Sequence, residues 1–309
     1  MNLIPRWSVF IKERFEPVSH TLMIFSFASA NAAMAYAASP YEIKSRAAYL
    51  IAGFLLVWLV FFHMRLFDDI KDYETDRLVN KERPLPRGVL SPDEFGAGIL
   101  ICVASEIILA SSLGFKVFST YALALMFTLL MRQEFFIGDW MRPKMELYAA
   151  THTFSASMLG LLIYSITNGS QINEVPLSYL YVALGNWFVF NVFEFGRKTF
   201  AKGEERKGVD SYSLRLGPFG AFLLLAVNIF MAFSMLYFSI QNIPFKILGP
   251  ERLLPALFSG AIISFIVIAA GVTYSLKPSD FYAKFYRGIV SFYLVAYHLS
   301  ITINAIVHF

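Results

Sequence analysis

Long uncharged apolar runs separated by short polar segments dominate this chain. They extend from about Pro17 to Tyr41, Ala47 to Met64, Phe95 to Phe115, Val117 to Met131, Leu147 to Ile172, Val175 to Phe193, Leu216 to Phe245, Leu253 to Leu276 and Gly288 to Phe309. Only Glu106 interrupts the third. Crossing a bilayer takes roughly 20 apolar residues. Lipid satisfies no backbone group, so runs of this length without period-two alternation predict helices. The pattern predicts an all-α integral membrane protein, a bundle of nine transmembrane helices forming a single domain over residues 1–309. Ser91-Pro92-Asp93-Glu94 supplies an N-cap, a first-turn proline and a capping-box glutamate for the third helix. Gly217-Pro218 offers a similar start for the seventh. Residues 1–16 carry Arg6, Lys12, Glu13, Arg14 and Glu16, which exclude a signal-peptide apolar core. They read as an interfacial lead-in whose Trp7, Phe10 and Phe15 dip into headgroups.

Composition agrees with the pattern. Of 309 residues 57% are hydrophobic and 16% charged, against about 25% charged in soluble domains. The net charge of +4 matters less than its placement. With a cytoplasmic N-terminus, all but five of the 26 Lys and Arg fall on the cytoplasmic side, the exceptions being Lys44, Arg46, Lys116, Lys246 and Arg252. That asymmetry orients the bundle and points to membrane lipid, not nucleic acid, as the surroundings. The single cysteine, Cys102, excludes a disulfide framework and a cysteine-based metal cluster.

The second run passes directly into Arg65-x-x-Asp68-Asp69-x-x-Asp72-x-x-x-Asp76, followed by Arg83-Pro84-Leu85 and Gly88. On a continuing helix Asp68, Asp72 and Asp76 recur every four residues and Asp69 lies three before Asp72, so the carboxylates share one face. Like charges at that spacing repel. A Mg²⁺ ion bound by one or two carboxylates together with phosphate oxygens suits the arrangement. The blander reading is a solvated helix end with Lys71 and Arg77 as surface partners.

The pattern resembles the first signature of the UbiA superfamily of intramembrane prenyltransferases, R-x-x-N-D-x-x-D-x-x-x-D followed by R-P-[LI]. Asp68 is its one departure, standing where the family has Asn. The family's second signature, aspartates at D-x-x-x-D spacing after the sixth helix, is met here by Glu194 and Lys198. Either Glu194 with Glu204 or Glu205 holds a second metal, or Arg197, Lys198 and Lys202 bind phosphate in its place. The second option is favoured, because lysine neutralises phosphate as a point charge. Arg206 and Lys207 also suit a plain positive-inside loop. Arg142 and Lys144 resemble the basic stretch before the family's fifth helix, and a topological role suits them equally.

The resemblance implies a Mg²⁺-dependent transferase in which Asp69, Asp72 and Asp76 act in catalysis. It assigns the metal to Asp68, Asp69, Asp72, Asp76 and Glu194, and the diphosphate of an isoprenyl diphosphate donor to Arg65, Arg142, Lys144, Arg197 and Lys198. The acceptor would be hydrophobic or aromatic, most commonly of the quinone-precursor type. Within the family, a sugar diphosphate donor with a polyprenyl phosphate acceptor is the alternative. Outside it stands a transporter or channel, which would place broken or polar segments at mid-membrane, and a third reading is a family member that has lost catalysis and acts as a lipid-binding partner.

Isolated polar residues complete the reading. Glu106, mid-span, is costly in lipid and marks a functional or a paired site. His63 is placed to line the pocket, while His152 and His298 read as hydrogen-bonded packing residues. Asn186 and Asn191 either hold a head group or bridge helices. Phe62, Phe67, Trp187 and Phe190 are candidates for walls that shield a carbocation.

Overall fold

The computed structural model describes residues 3–39, 47–206, 208–243 and 253–308. Lys44, Arg46, Lys207, Lys246 and Arg252 lie outside them, as do the expected ends of three spans at Tyr41, Phe245 and Phe309. The described residues form helices α1 (Leu3–Arg14), α2 (Pro17–Ala38), α3 (Ala47–Lys71), α4 (Tyr73–Val79), α5 (Pro92–Ser112), α6 (Phe115–Arg132), α7 (Gly138–Met141), α8 (Met145–Thr153), α9 (Ser155–Asn168), α10 (Leu177–Arg197), α11 (Tyr212–Gln241), α12 (Leu254–Leu276) and α13 (Asp280–His308). No strand occurs among them.

With α8 and α9 taken as one span, eight segments are long and apolar enough to cross a membrane. The protein is therefore an all-α, multi-pass integral membrane protein. The expected count was nine. The remaining element, α10, has 21 residues and packs against α8, α9, α11 and α13. It is not among the eight, because Asn186, Asn191, Glu194 and Arg197 dilute its apolar character. The last span, α13, packs against both α12 and α2, which brings the two ends of the bundle together.

Local chemistry accounts for where the helices begin and break. Ser91 Oγ accepts from the Glu94 amide and the Glu94 side chain accepts from the Ser91 amide, the capping box that the sequence predicts. The seventh span starts earlier than expected. Ser211 caps it at the Leu214 amide, and the helix is interrupted at Gly217, whose φ of 72° a glycine adopts without strain. The fifth span is broken at Phe154. There the Thr153 hydroxyl bonds back to the Ala149 and Ala150 carbonyls, and Trp187 Nε1 donates to Ala150 O at 2.7 Å. Side chains that occupy backbone carbonyls in this way bend helices.

The N-terminal helix differs from the interfacial expectation. Phe10 and Phe15 are fully buried, and Trp7 stacks on Phe95. Trp7 and Phe10 pack inward, against the end of α3, the following loop and the start of α5, and Phe15 packs against Trp58 and Phe62 of α3, instead of dipping into headgroups. Arg6 clamps the arrangement by donating twice to Glu94 and once to Val89 O.

Two polar clusters pin the apolar helices together. His63 on α3 faces Glu106 on α5, with Nδ1 at 2.7 and 2.9 Å from its two oxygens. Tyr121 donates to Glu106 at 3.0 Å and the Cys102 thiol lies at 3.4 Å. The Thr128 hydroxyl donates to Leu125 O, so it accepts from His63 Nε2 at 3.1 Å. His63 and Glu106 thus form one fully buried pair that joins α3 to α5. The second cluster joins α2, α9 and α10: Asn186 donates to Asn31 at 2.7 Å, and Tyr179 donates to Gly160 O at 2.8 Å. A Cβ on Gly160 would lie 3.1 Å from Asn31 Oδ1, so glycine permits that close approach.

Breaking a buried pair costs about 3–5 kcal/mol, whereas replacing both members by apolar residues is often neutral. His63→Leu is therefore expected to destabilise the protein by several kcal/mol, and His63→Leu with Glu106→Leu to recover most of the loss. Equilibrium unfolding in mixed micelles measures this, and a single variant as stable as the parent would contradict the pairing.

Candidate active site

The acidic run starts on α3 and crosses a bend at Asp72, yet the i to i+4 ladder survives it. Asp72 N donates to Asp68 O at 2.9 Å and Asp76 N to Asp72 O at 2.8 Å. The carboxylates nevertheless do not share one face. Asp69 is buried and held at 2.8 Å by both Arg14 and Arg65. Asp76 is buried and accepts from Asn80 at 2.8 Å and from Arg83 of the Arg83-Pro84-Leu85 loop. Asp68 and Asp72 instead line a cavity of about 600 Å³.

That cavity gathers residues far apart in sequence. Arg65, Asp68, Lys71 and Asp72 line it from the α3 end, and Glu194, Arg197 and Lys198 from the end of α10. Glu194 accepts from Arg197 and lies 3.2 Å from Lys198 Nζ, so one carboxylate serves two cations and the group keeps a net positive charge. On the other side, Lys71 Nζ sits 3.5 Å from Asp68 and 2.9 Å from the Tyr148 hydroxyl. The Asp72 carboxyl opens to the cavity but is crowded by protein elsewhere. That loss of water raises its pKa above the ordinary carboxylate value, with Lys71 pulling it back and Asp68 and Asp76 pushing it further up.

Arg142 and Lys144 do not line the cavity. Arg142 pairs with Glu134 at 2.8 Å, and Lys144 lies 3.0 Å above the Trp140 ring. Glu134, Phe135 and Phe136 are all left-handed, with φ of 49°, 54° and 59°, a conformation costing roughly 1–2 kcal/mol per residue. Bonds to Glu134 from Arg142 and from Tyr148 at 3.0 Å help to hold that strained turn. Among the proposed aromatic walls, Phe190 lines the cavity together with Phe61, while Phe62 stacks on Trp58, Phe67 lies under Arg132 and Trp187 is spent on Ala150. Asn191 bridges to Asn228 and Thr153, and Asn186 to Asn31.

Lys71, Tyr148 and His152 line the cavity although sequence reasoning gave them no site role. Lys71 and Tyr148 meet across 77 residues, a separation at which no spacing rule operates. Glu204 and Glu205 are occupied elsewhere. Glu204 accepts from Arg287 at 2.6 and 2.9 Å, and Glu205 from Ser211 and Ser213. Among the described residues no group of three or more His, Cys, Asp or Glu side chains is assembled to hold a metal. The pair Asp68 and Asp72 fits Mg²⁺ of the kind that takes one or two carboxylates and completes its shell with water and phosphate oxygens.

The family model described as the UbiA prenyltransferase family matches residues 22–295. No curated protein sequence matches the chain. Among solved structures, a UbiA homologue from Aeropyrum pernix is 16% identical with a TM-score of 0.66, covering 94% of this chain and 98% of that one. A UbiA homologue from Archaeoglobus fulgidus, bound to GPP and Mg²⁺, is 15% identical with a TM-score of 0.59 over 92% of this chain and 98% of that one. A structure of digeranylgeranylglyceryl phosphate synthase is 14% identical with a TM-score of 0.59 over 98% and 99%. At these identities the likeness is one of fold.

The loop between α10 and α11 yields a pH test. The bond from Arg287 holds the Glu204 carboxyl below its ordinary value of 4.5, with partial burial opposing and the Ala201 amide assisting. A depressed carboxyl contributes stability that is complete above the unfolded value and is lost as pH falls through the folded one. Thermal midpoints are expected to fall more steeply below pH 4.5 in the parent than in Glu204→Gln. Equal slopes would remove Glu204 from that role.

Proposed function

This chain belongs to the UbiA prenyltransferase family and is a membrane prenyltransferase, and from that premise we propose how its cavity works. It transfers a prenyl group from an isoprenyl diphosphate to a hydrophobic or aromatic acceptor, with Mg²⁺ held by Asp68 and Asp72. The observation that carries the reading is the single cavity in which Asp68 and Asp72 face Arg197 and Lys198 while Phe61, Met64, Met131, Phe190 and Leu294 supply apolar wall. A diphosphate needs the first set and a prenyl tail the second. The relative solved with GPP and Mg²⁺ supports this pairing of donor and ion.

Bound between Asp68 and Asp72, Mg²⁺ would supply positive charge to the departing diphosphate. Arg197 and Lys198 face the same group and stabilise its developing charge, and Arg65 and Lys71 extend that positive field from α3. The aromatic faces of Phe61 and Phe190 line the cavity where an allylic cation is favoured over its neutral surroundings. Asp69 acts as a positioning residue, because its contacts with Arg14 and Arg65 tie α1 to α3. Asp76 fixes the Arg83 loop against the same helix. Glu194 orients Arg197 and Lys198, which leaves one metal in place of two. Arg142 shapes the strained turn beside Tyr148 and reaches the site through Glu134. The excess of Lys and Arg in the loops around the site supports a cytoplasmic position for it.

Diphosphate release by the purified chain, with Mg²⁺, a series of prenyl diphosphates and candidate acceptors, tests the proposal. Asp72→Asn is expected to lower turnover by about 10²–10³-fold, the range for loss of one stabilising group in a transition state. Lys198→Ala is expected chiefly to raise the donor KM. Full activity in Asp72→Asn would overturn the metal assignment, and turnover with a sugar diphosphate alone would replace the donor.

A further inference from the structure

The cavity stops at one level on the four long helices that enclose its apolar part. Going down from the acids and cations at its mouth, the last lining residues are Met23 on α2, Phe61 on α3, Phe190 on α10 and Val295 on α13. Phe61 and Phe190 stack across it, with centroids 6.0 Å apart and planes 23° from parallel. Phe27, fully buried and not itself part of the lining, meets both rings edge to face, at 5.9 and 5.5 Å.

The structure beneath and beside these rings is closed. Asn31 lies one turn past Phe27 and Asn186 one turn before Phe190, and Asn186 donates to Asn31 Oδ1 at 2.7 Å, so α2 and α10 are clamped together under the aromatic rings. Ser29 Oγ and Thr302 Oγ1, 3.0 Å apart, join α2 to α13 at depth. Between α2 and α13 the exposed lining residues are Ser19, in the first turn of α2, and Ser291, one turn past the Arg287 that bonds Thr199 O. Both belong to the mouth, at the height of the charged groups. A hydrocarbon tail attached to a diphosphate there runs down towards the rings.

The helix itself gives the depth available. Phe61 precedes Asp68 by seven residues on α3, which places it about 10 Å deeper. Each isoprene unit adds four backbone bonds, about 5 Å when extended. A diphosphate held at Asp68 therefore leaves length for two units above the rings, and a third collides with them. This inference rests on the cavity being the prenyl-transfer site. We propose that Phe27, Phe61 and Phe190 form a floor that limits the donor's tail, so that this chain takes a short prenyl diphosphate of one or two isoprene units. A longer tail must unstack Phe61 from Phe190 or part α2 from α13, and either loses close packing.

The test measures binding to the full chain in detergent micelles with Mg²⁺. The probes are the non-cleavable thiodiphosphates of dimethylallyl, geranyl, farnesyl and geranylgeranyl, which need no acceptor. In the parent, affinity is expected to rise from dimethylallyl to geranyl and to fall about tenfold from geranyl to farnesyl, the penalty of overfilling a packed apolar site. Phe61→Ala and Phe190→Ala each deepen the cavity and are expected to remove most of that fall. Comparing the farnesyl-to-geranyl ratio with the parent's cancels the partitioning of each tail into the micelle. Met64→Phe, one turn nearer the mouth than Phe61, is expected to raise the floor and move the preference to dimethylallyl. Farnesyl bound as well as geranyl by the parent, a ratio unchanged in both alanine variants, or no shift in Met64→Phe would each overturn the floor. Should the alanine variants fail to fold, the parent series and Met64→Phe decide the question. Absence of binding at every length would sink the donor reading and the floor with it, whereas binding that ignores length removes the floor alone.

Discussion

A polar group carried into hydrocarbon must find its partner inside the protein, because lipid offers none. That constraint explains why the few polar residues of these helices settle the packing. Apolar side chains face lipid and neighbouring helices with little to choose between them, so they do not fix how a helix is rotated about its own axis. The pair His63 and Glu106, with Tyr121, Cys102 and Thr128 around it, does fix it for α3. Arg65 and Asp68 follow His63 by two and five residues on the same helix. Rotating α3 enough to turn Asp68 out of the cavity would expose both members of a fully buried pair.

The same accounting sorts the acids near the site into two groups. Asp69, Asp76, Glu134, Glu204 and Glu205 each find cations or hydroxyls among the protein's own residues, and each ties a loop or helix end to its neighbour. Asp68 has only a long contact with Lys71, and Asp72 has no side-chain ion pair at all among the described residues. Carboxylates with complete partners build the scaffold. Those left incomplete face the cavity opposite a cluster with spare positive charge, and that opposition of charges suits a bound divalent ion and a diphosphate together.

What could be read from the sequence was whatever depends on near neighbours along the chain. The apolar runs, the capping box at Ser91 and the acidic signature after the second span are all local patterns. The division of the acids was not legible, because Asp69 and Asp76 are claimed by Arg14 and Arg83, and no spacing rule links Arg14 to Asp69 across 55 residues. The break at Phe154 was hidden for a similar reason: Ala150 O beside it keeps its helical donor, Phe154 N at 3.2 Å, and gains a second one in Trp187, 37 residues away. The inward turn of Phe10 and Phe15 was missed because an amphipathic segment looks the same whether its apolar face meets headgroups or protein.

The departure at Lys198 can be weighed by charge alone. Exchanging an aspartate for a lysine adds two positive charges, as many as a divalent ion would bring. In the family pattern two acids need a metal between them before they can face a diphosphate. Here Glu194 with Arg197 and Lys198 is cationic without one, and a metal arriving there would be repelled by Lys198, 3.2 Å from the Glu194 carboxylate. Glu204 cannot substitute, since Arg287 already holds both of its oxygens. The altered signature therefore keeps a net positive charge at the cavity, the field that the proposed departing diphosphate would require, and carries it on groups that cannot be chelated away. On the proposed reading, one half of the electrostatic stabilisation would reside in the polypeptide and the other half, at Asp68 and Asp72, in a dissociable ion.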